Sequence, residues 1–206
     1  MLFRSQLVMS GLKSRELKRL EKELSDVKTL AKDSSVSAET VGEDLTHWEG
    51  LILGPQGTPY EGGRFKLDIQ VSSDYPYTPP KIRFTTKIWH PNISSVTGAI
   101  CLDVLGKEWS PALTIRTALL SILALLSAPE PEDPQDAEVA AMFKSNRTLF
   151  DQTAHFWTKT FANASGVEET LRRLTDMGFD PDHARQVLQK CDNDEHRALN
   201  ILLAGE

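Results

Sequence analysis

The sequence predicts an α+β domain followed by a small all-helical module, on three observations. Leu17, Leu20, Leu24, Val27 and Ala31 recur at steps of three and four, the stripe of an amphipathic helix. Phe65, Leu67, Ile69 and Val71 alternate with Lys66, Asp68 and Gln70, the two-residue period of a strand with one dry face. Beyond residue 162 the pattern changes to three short helical segments within about 40 residues, near the lower limit for an independent core.

Taken in order, the first helix has Ser14 as its expected N-cap and should stop near Asp33-Ser34-Ser35. Lys18, Arg19 and Lys22 lie off its apolar stripe and are expected in solvent. A weak strand over 36–41 and a clearer one over 46–53 follow, the second ending at Gly54-Pro55. The turn-rich 54–63 joins it to the alternating strand over 65–71. Residues 75–80 contain Pro76, Pro79 and Pro80, which cannot donate to a ladder, so this piece is a stiff crossing before a strand over 81–85. The sum is an antiparallel meander after a helix. Residues 114–127 are apolar almost all round, the pattern of a buried central helix, and Pro129, Pro131 and Pro134 end it in an acidic loop. Two more helices are expected over 137–144 and 147–161, then a linker over 162–166. The tail helices fall over 167–177, 181–190 and 195–203, with Ser165, Asp180 and Asp192 placed to cap them.

The totals exclude several classes. In 206 residues, 40% are apolar and 25% charged, enough to bury one large core and one small one. A net charge of −6 argues against a nucleic-acid binder. Residues 1–32 carry eight Lys/Arg against four Asp/Glu, whereas 165–206 carry five against nine. A basic opening helix on an acidic body suits an acidic protein partner or simply a solvated face. Two cysteines make no disulfide framework, and no apolar run reaches the roughly 18 residues of a membrane span. A reducing compartment, cytosol or nucleus, is expected. The opening nine residues are too short for a signal segment, and Met9 is as good a start as Met1.

The stretch 89–109, WHPNISSVTGAICLDVLGKEW, holds Cys101 between two tryptophans, with Asn92 nine residues earlier on a His90-Pro91 turn. On spacing alone Cys101 fits a buried core thiol as well as a nucleophile. Cys191 ends a helix with no constellation around it and is expected to be inert.

YPYTPPKIRF, then HPN, then GAICLDVL, then WSPALTI, in this order and spacing, resembles the catalytic domain of ubiquitin-conjugating enzymes over about residues 12–162. The tail, 166–206, resembles a ubiquitin-associated (UBA) domain, and the pairing matches the 25-kilodalton class of that family. The resemblance implies a catalytic fold of one N-terminal helix, a four-stranded antiparallel meander, and central and C-terminal helices, then a three-helix UBA bundle. It implies that Cys101 accepts the C-terminal carboxyl of ubiquitin as a thioester from the activating enzyme, for transfer to a lysine amine and the building of polyubiquitin chains. Asn92 matches the amide credited with donating to the oxyanion or with ordering the nearby loop. His90 matches a structural histidine. Asp133, and with less claim Asp103, match carboxylates beside the acceptor amine; such charges disfavour the thiolate, so the thiol is not expected to be acidified. Lys18, Arg19 and Lys22 match positions used with the activating enzyme, and Tyr77, Pro111 and Ala112 match loops that RING and HECT ligases grip; Trp109 is expected to pack in the core.

In the tail, Met177, Gly178, Phe179, Leu202 and Leu203 match the surface that UBA domains press on ubiquitin. The resemblance implies no intrinsic cofactor and no metal; ATP is consumed by the upstream activating enzyme. Partners are ubiquitin, that enzyme, ligases and protein substrates, with no nucleic acid or membrane, and the chain is expected to be a monomer. A non-catalytic ubiquitin-binding adaptor would need the cysteine missing or occluded, and a cysteine hydrolase would need a second histidine with a supporting amide.

Overall fold

The computed structural model describes residues 14–30, 35–191 and 194–204. Helix α1 (Ser14–Leu30) buries Leu20, Glu23 and Val27 on one face. Strands β1 (Val36–Val41), β2 (Asp44–Leu53), β3 (Arg64–Gln70) and β4 (Lys81–Phe84) form one antiparallel sheet in sequence order. The meander expected from the alternating pattern is therefore present, with the wet face carrying the Lys66–Glu49 pair and the dry face carrying Phe65, Leu67 and Ile69. The expected end of α1 near Asp33, like the opening residues 1–13, lies outside the described residues.

Helix α2 (Ile115–Ser127) runs under the dry face and buries Ile115, Ala118, Leu119, Ile122, Leu125 and Leu126. Thr114 caps it, its hydroxyl accepting from the Thr117 amide while the Thr117 hydroxyl accepts from the Thr114 amide. Burying each of these Ile and Leu side chains contributes about 1.5–3 kcal/mol, so this helix and the sheet hold the fold together. Helices α3 (Ala137–Ser145) and α4 (Arg147–Trp157) follow, capped by Asp136 and Asn146. The last turn of the expected helix over 147–161 is instead a π-helical turn, Thr158–Ala162.

The tail forms α5 (Ala164–Asp176), α6 (Pro181–Lys190) and α7 (Glu195–Ala204) around a core of its own, which includes Leu174, Ala184, Leu188, Cys191 and Ala198. Two expectations need correction. The linker shrinks to Asn163, because the extended backbone at Asn163 already breaks the chain direction and the helix-favouring Ala164 starts α5 at once. Ser165 consequently sits inside α5. The Asp180 cap is in place, accepting from the His183 amide. Asp192 lies outside the described residues, and the Asp194 carboxylate accepts from the Arg197 amide at the start of α7.

Candidate active site

Beyond β4 the chain enters the turn at His90-Pro91-Asn92, whose side chains are held by hydrogen bonds. The His90 ring is fully buried, with Nε2 3.1 Å from the Leu125 carbonyl and Nδ1 3.0 Å from the Asn92 amide. Because an amide N–H can only donate, Nδ1 is the acceptor and the ring proton sits on Nε2. Burial pushes His90 down to about 4, so it is neutral at physiological pH. With both nitrogens occupied, it holds the turn, as the resemblance implied.

Asn92 is equally buried. Its Nδ2 donates to the carbonyls of Glu130 (2.8 Å) and Asp133 (2.9 Å), and its Oδ1 accepts from the Glu130 amide at 2.8 Å. The amide therefore orders the loop between α2 and α3, and both of its N–H groups are committed to that task. The Pro91 carbonyl reinforces the same loop by accepting from the amides of Gln135 and Asp136. Of the two roles implied for Asn92, this geometry is that of the loop organiser.

Residues 93–100 fold back as a short hairpin, with Ile93 bridged to Ile100 and the Ser94 amide donating to the Ala99 carbonyl. Gly98, at φ 74°, is packed so closely against the Phe84 carbonyl that a Cβ would collide with it. The hairpin delivers Cys101 beside Asn92, its amide donating to the Asn92 carbonyl at 2.9 Å. Cys101 is half-buried, and its Sγ lies 3.7 Å from Asp133 Oδ2. Burial, then the Asp133 carboxylate by charge and hydrogen bond, then Asp103 and Glu130, push the thiol above its ordinary value. The site thus presents a reachable, unacidified thiol ringed by carboxylates, with the neighbouring histidine locked away. Among the described residues no group of His, Cys, Asp or Glu is arranged to hold a metal ion.

Past Cys101, a 3-10 turn (Asp103–Leu105) leads to Trp109, whose indole donates to the Pro76 carbonyl at 2.8 Å and packs on Tyr75. This joins the two loops that carry Tyr77 (73% exposed) and the exposed Pro111 and Ala112. Lys18 and Lys22 are exposed as expected. Arg19 is not free in solvent: it donates to the carbonyls of Pro111 and Leu113, both at 2.6 Å, and to Glu23 at 2.8 Å. A guanidinium fork can saturate two loop carbonyls and a carboxylate at once, which explains the correction.

Glu23 is the residue the sequence reading missed. Buried to 5% exposure, it accepts from the Tyr75 hydroxyl, the Ile115 amide and Arg19, tying α1, both loops and the start of α2 together. A signal existed: Glu23 stands three after Leu20 and four before Val27, on the core-facing stripe.

In the tail, Met177 (58% exposed), Gly178 at φ 98° and Leu203 (67% exposed) lie on the surface, and Phe179 is half-buried against the tail core. Leu202 is buried at 7% and packs in that core, so it is not a surface residue; adjacent helical positions point about 100° apart, and here Leu202 turns inward while Leu203 turns outward. Cys191 is buried, in keeping with an inert thiol.

A reachable thiol whose neighbouring histidine is engaged elsewhere, on an α+β scaffold with a separate helical module, suits an acyl carrier more than a hydrolase. The comparisons with known proteins agree. Residues 19–158 match the family model described as Ubiquitin-conjugating enzyme, and residues 167–202 match that of the UBA/TS-N domain. Ubiquitin-conjugating enzyme E2 27 of Arabidopsis thaliana is 50% identical over 190 residues, covering 92% of this chain and 99% of the relative. Ubiquitin-conjugating enzyme E2 K of Homo sapiens is 46% identical over 201 residues, covering 96% and 100%. Among solved structures, the E2 domain of a Toxoplasma gondii ubiquitin conjugating enzyme superposes with a TM-score of 0.69 at 64% identity, over 72% of this chain and 99% of that one. A Plasmodium yoelii structure gives 0.71 at 62%, over 74% and 98%. The chain belongs to the ubiquitin-conjugating enzyme family and carries a C-terminal UBA domain.

Proposed function

We propose that Cys101 is the residue that takes the C-terminal carboxyl of ubiquitin as a thioester and surrenders it to a lysine amine. The observation that carries this is the half-buried Cys101 thiol, 3.7 Å from Asp133, on a hairpin anchored to Asn92. Sulfur exchanges one thioester for another at little cost and keeps the acyl group activated. Asp133 orients the incoming ammonium and accepts its proton; Asn92 holds the loop that carries Asp133. His90, neutral and engaged on both nitrogens, is not free to activate water against the thioester.

Lys18 and Lys22 serve the activating enzyme, which alone consumes ATP; Tyr77, Pro111 and Ala112 serve RING or HECT ligases, and Arg19 supports their loop. The catalytic domain occupies 12–162 and the UBA domain 166–206. Met177, Gly178, Phe179 and Leu203 bind ubiquitin, and tethering this module to the catalytic domain raises the local concentration of acceptor ubiquitin, which favours chain building. A monomer in cytosol and nucleus suits two unbridged thiols.

The test is to incubate the chain with activating enzyme, ATP and ubiquitin. A thiol-sensitive adduct on the native chain, none on Cys101→Ala, and a thiol-resistant ester on Cys101→Ser are expected. An undiminished adduct on Cys101→Ala would overturn the assignment.

A further inference from the structure

Asp133 approaches the sulfur of Cys101 from the loop between α2 and α3, so their 3.7 Å separation depends on how that loop is held against the hairpin. Asn92 and the Pro91 carbonyl hold the loop from the turn where the hairpin begins. A further side-chain link joins the two segments without passing through that turn. Ser95, in the hairpin, donates twice to Asp136 Oδ2 at the far end of the loop, from its hydroxyl at 2.7 Å and its amide at 3.0 Å. The other oxygen, Oδ1, accepts from the Val139 amide and caps α3. One carboxylate therefore fastens the hairpin with one oxygen and the helix with the other, a division that needs an acceptor with two oxygens. Burial opposes its charge, yet the Ser95 hydroxyl and amide, then the backbone of Val139 and Glu138, hold Asp136 below the ordinary carboxylate range. The Asp133 loop is thus stretched between two anchors, Asn92 at one end and the Ser95–Asp136 clasp at the other.

We propose that Ser95 and Asp136 are positioning residues for the transfer step: their clasp fixes the Asp133 carboxylate where it can orient the incoming amine and take its proton. Both act through Asp133, and neither takes part in bond making. Bonds to an ionised acceptor are short and directional, which suits the clasp to holding a distance. Loosening it leaves Cys101 able to accept ubiquitin, because exchange of one thioester for another needs no carboxylate. It slows transfer to an amine that arrives protonated, since a catalytic group displaced by about 1 Å can cost about 100-fold in rate. Removing the hydroxyl alone leaves the Ser95 amide in place, so that loss is partial.

The inference rests on Asp133 serving the incoming amine, and a double-mutant cycle separates the two. The full chain and its Ser95→Ala, Asp133→Ala and doubly substituted forms are charged with activating enzyme, ATP and ubiquitin, and charging is then stopped. Discharge is followed at pH 7 against a range of free lysine concentrations and against hydroxylamine, an amine that is already neutral there. Ser95→Ala should form the thioester normally, keep its melting temperature and discharge normally to hydroxylamine. Its maximal rate constant for lysine should fall about 3- to 10-fold, the size of one net hydrogen bond. Ser95→Thr, which keeps the hydroxyl, should recover the lysine rate. In the Asp133→Ala background the Ser95 substitution should add nothing. Asp136→Asn has a single carbonyl oxygen for two tasks and should slow lysine discharge at least as much as Ser95→Ala. Unchanged lysine discharge in both Ser95→Ala and Asp136→Asn, equal slowing toward lysine and hydroxylamine, or a Ser95→Ala effect that persists in full on top of Asp133→Ala would each overturn the inference and leave the role of Asp133 intact. Lysine discharge unaffected by Asp133→Ala would instead remove that role, and this proposal with it.

Discussion

Replacing Asn92 by alanine separates the two roles an amide can play here. The side chain makes three hydrogen bonds, to the Glu130 carbonyl, the Asp133 carbonyl and the Glu130 amide, all at 2.8–2.9 Å. At about 0.5–1.5 kcal/mol net each, and with loop carbonyls that can recover water, the loop loses about 2–4 kcal/mol of local stability. The Glu130 amide reports this directly, because Asn92 Oδ1 is its acceptor. A local loss of about 2 kcal/mol should raise its hydrogen exchange roughly 30-fold. Charging by the activating enzyme should change little, whereas discharge to free lysine should fall as Asp133 loses its fixed position. The result that would refute the reasoning is an unchanged Glu130 exchange rate together with a discharge rate about 100-fold lower, the size expected of a lost oxyanion donor.

Three further outcomes follow from the same geometry. Tyr75→Phe removes the one O–H that the buried Glu23 carboxylate oxygens share; it should cost about 1–3 kcal/mol in denaturant unfolding and lower ligase-stimulated discharge more than ligase-free discharge. His90, held down at about 4 against an unfolded value near 6.5, binds its proton in the unfolded state first. Its contribution is therefore present above pH 6.5 and lost as pH falls toward 4, about 3 kcal/mol in all, seen as a falling urea midpoint in that window that His90→Gln does not share. In the tail, Leu202→Ala should cost about 2–5 kcal/mol of UBA stability, whereas Leu203→Asp should leave melting unchanged and weaken ubiquitin binding in calorimetry.

What the sequence made legible was whatever repeats or punctuates. The alternation from Phe65 to Val71 gave the dry face of β3, the prolines at 76, 79 and 80 excluded a strand, and Asp180-Pro181 marked the start of α6. Cys101, Asn92 and Asp133 were legible through their motifs and come together in space. Less legible were contacts made by long side chains across distant segments. Arg19 reaches loop carbonyls more than 90 residues away, and Glu23 satisfies donors from α1, the Tyr75 loop and α2; local periodicity carries no term for either. The split between Leu202 and Leu203 failed for a different reason: a motif names both residues, whereas Leu202 packs into the tail core and only Leu203 faces out. The linker failed because Ser165 and Gly166 look like punctuation, yet Asn163 alone turns the chain.

The central claim is that Cys101 holds an acyl group in a site that offers amines a carboxylate and water no free histidine. A pulse-chase of the charged chain, followed by intact-mass spectrometry with and without free lysine, tests it most directly. The account predicts persistence of the Cys101-linked ubiquitin in buffer alone at pH 7, rapid loss on adding lysine, and no inflection in the discharge rate near the depressed pKa of His90, about 4. Hydrolysis in buffer as fast as transfer to lysine would contradict it.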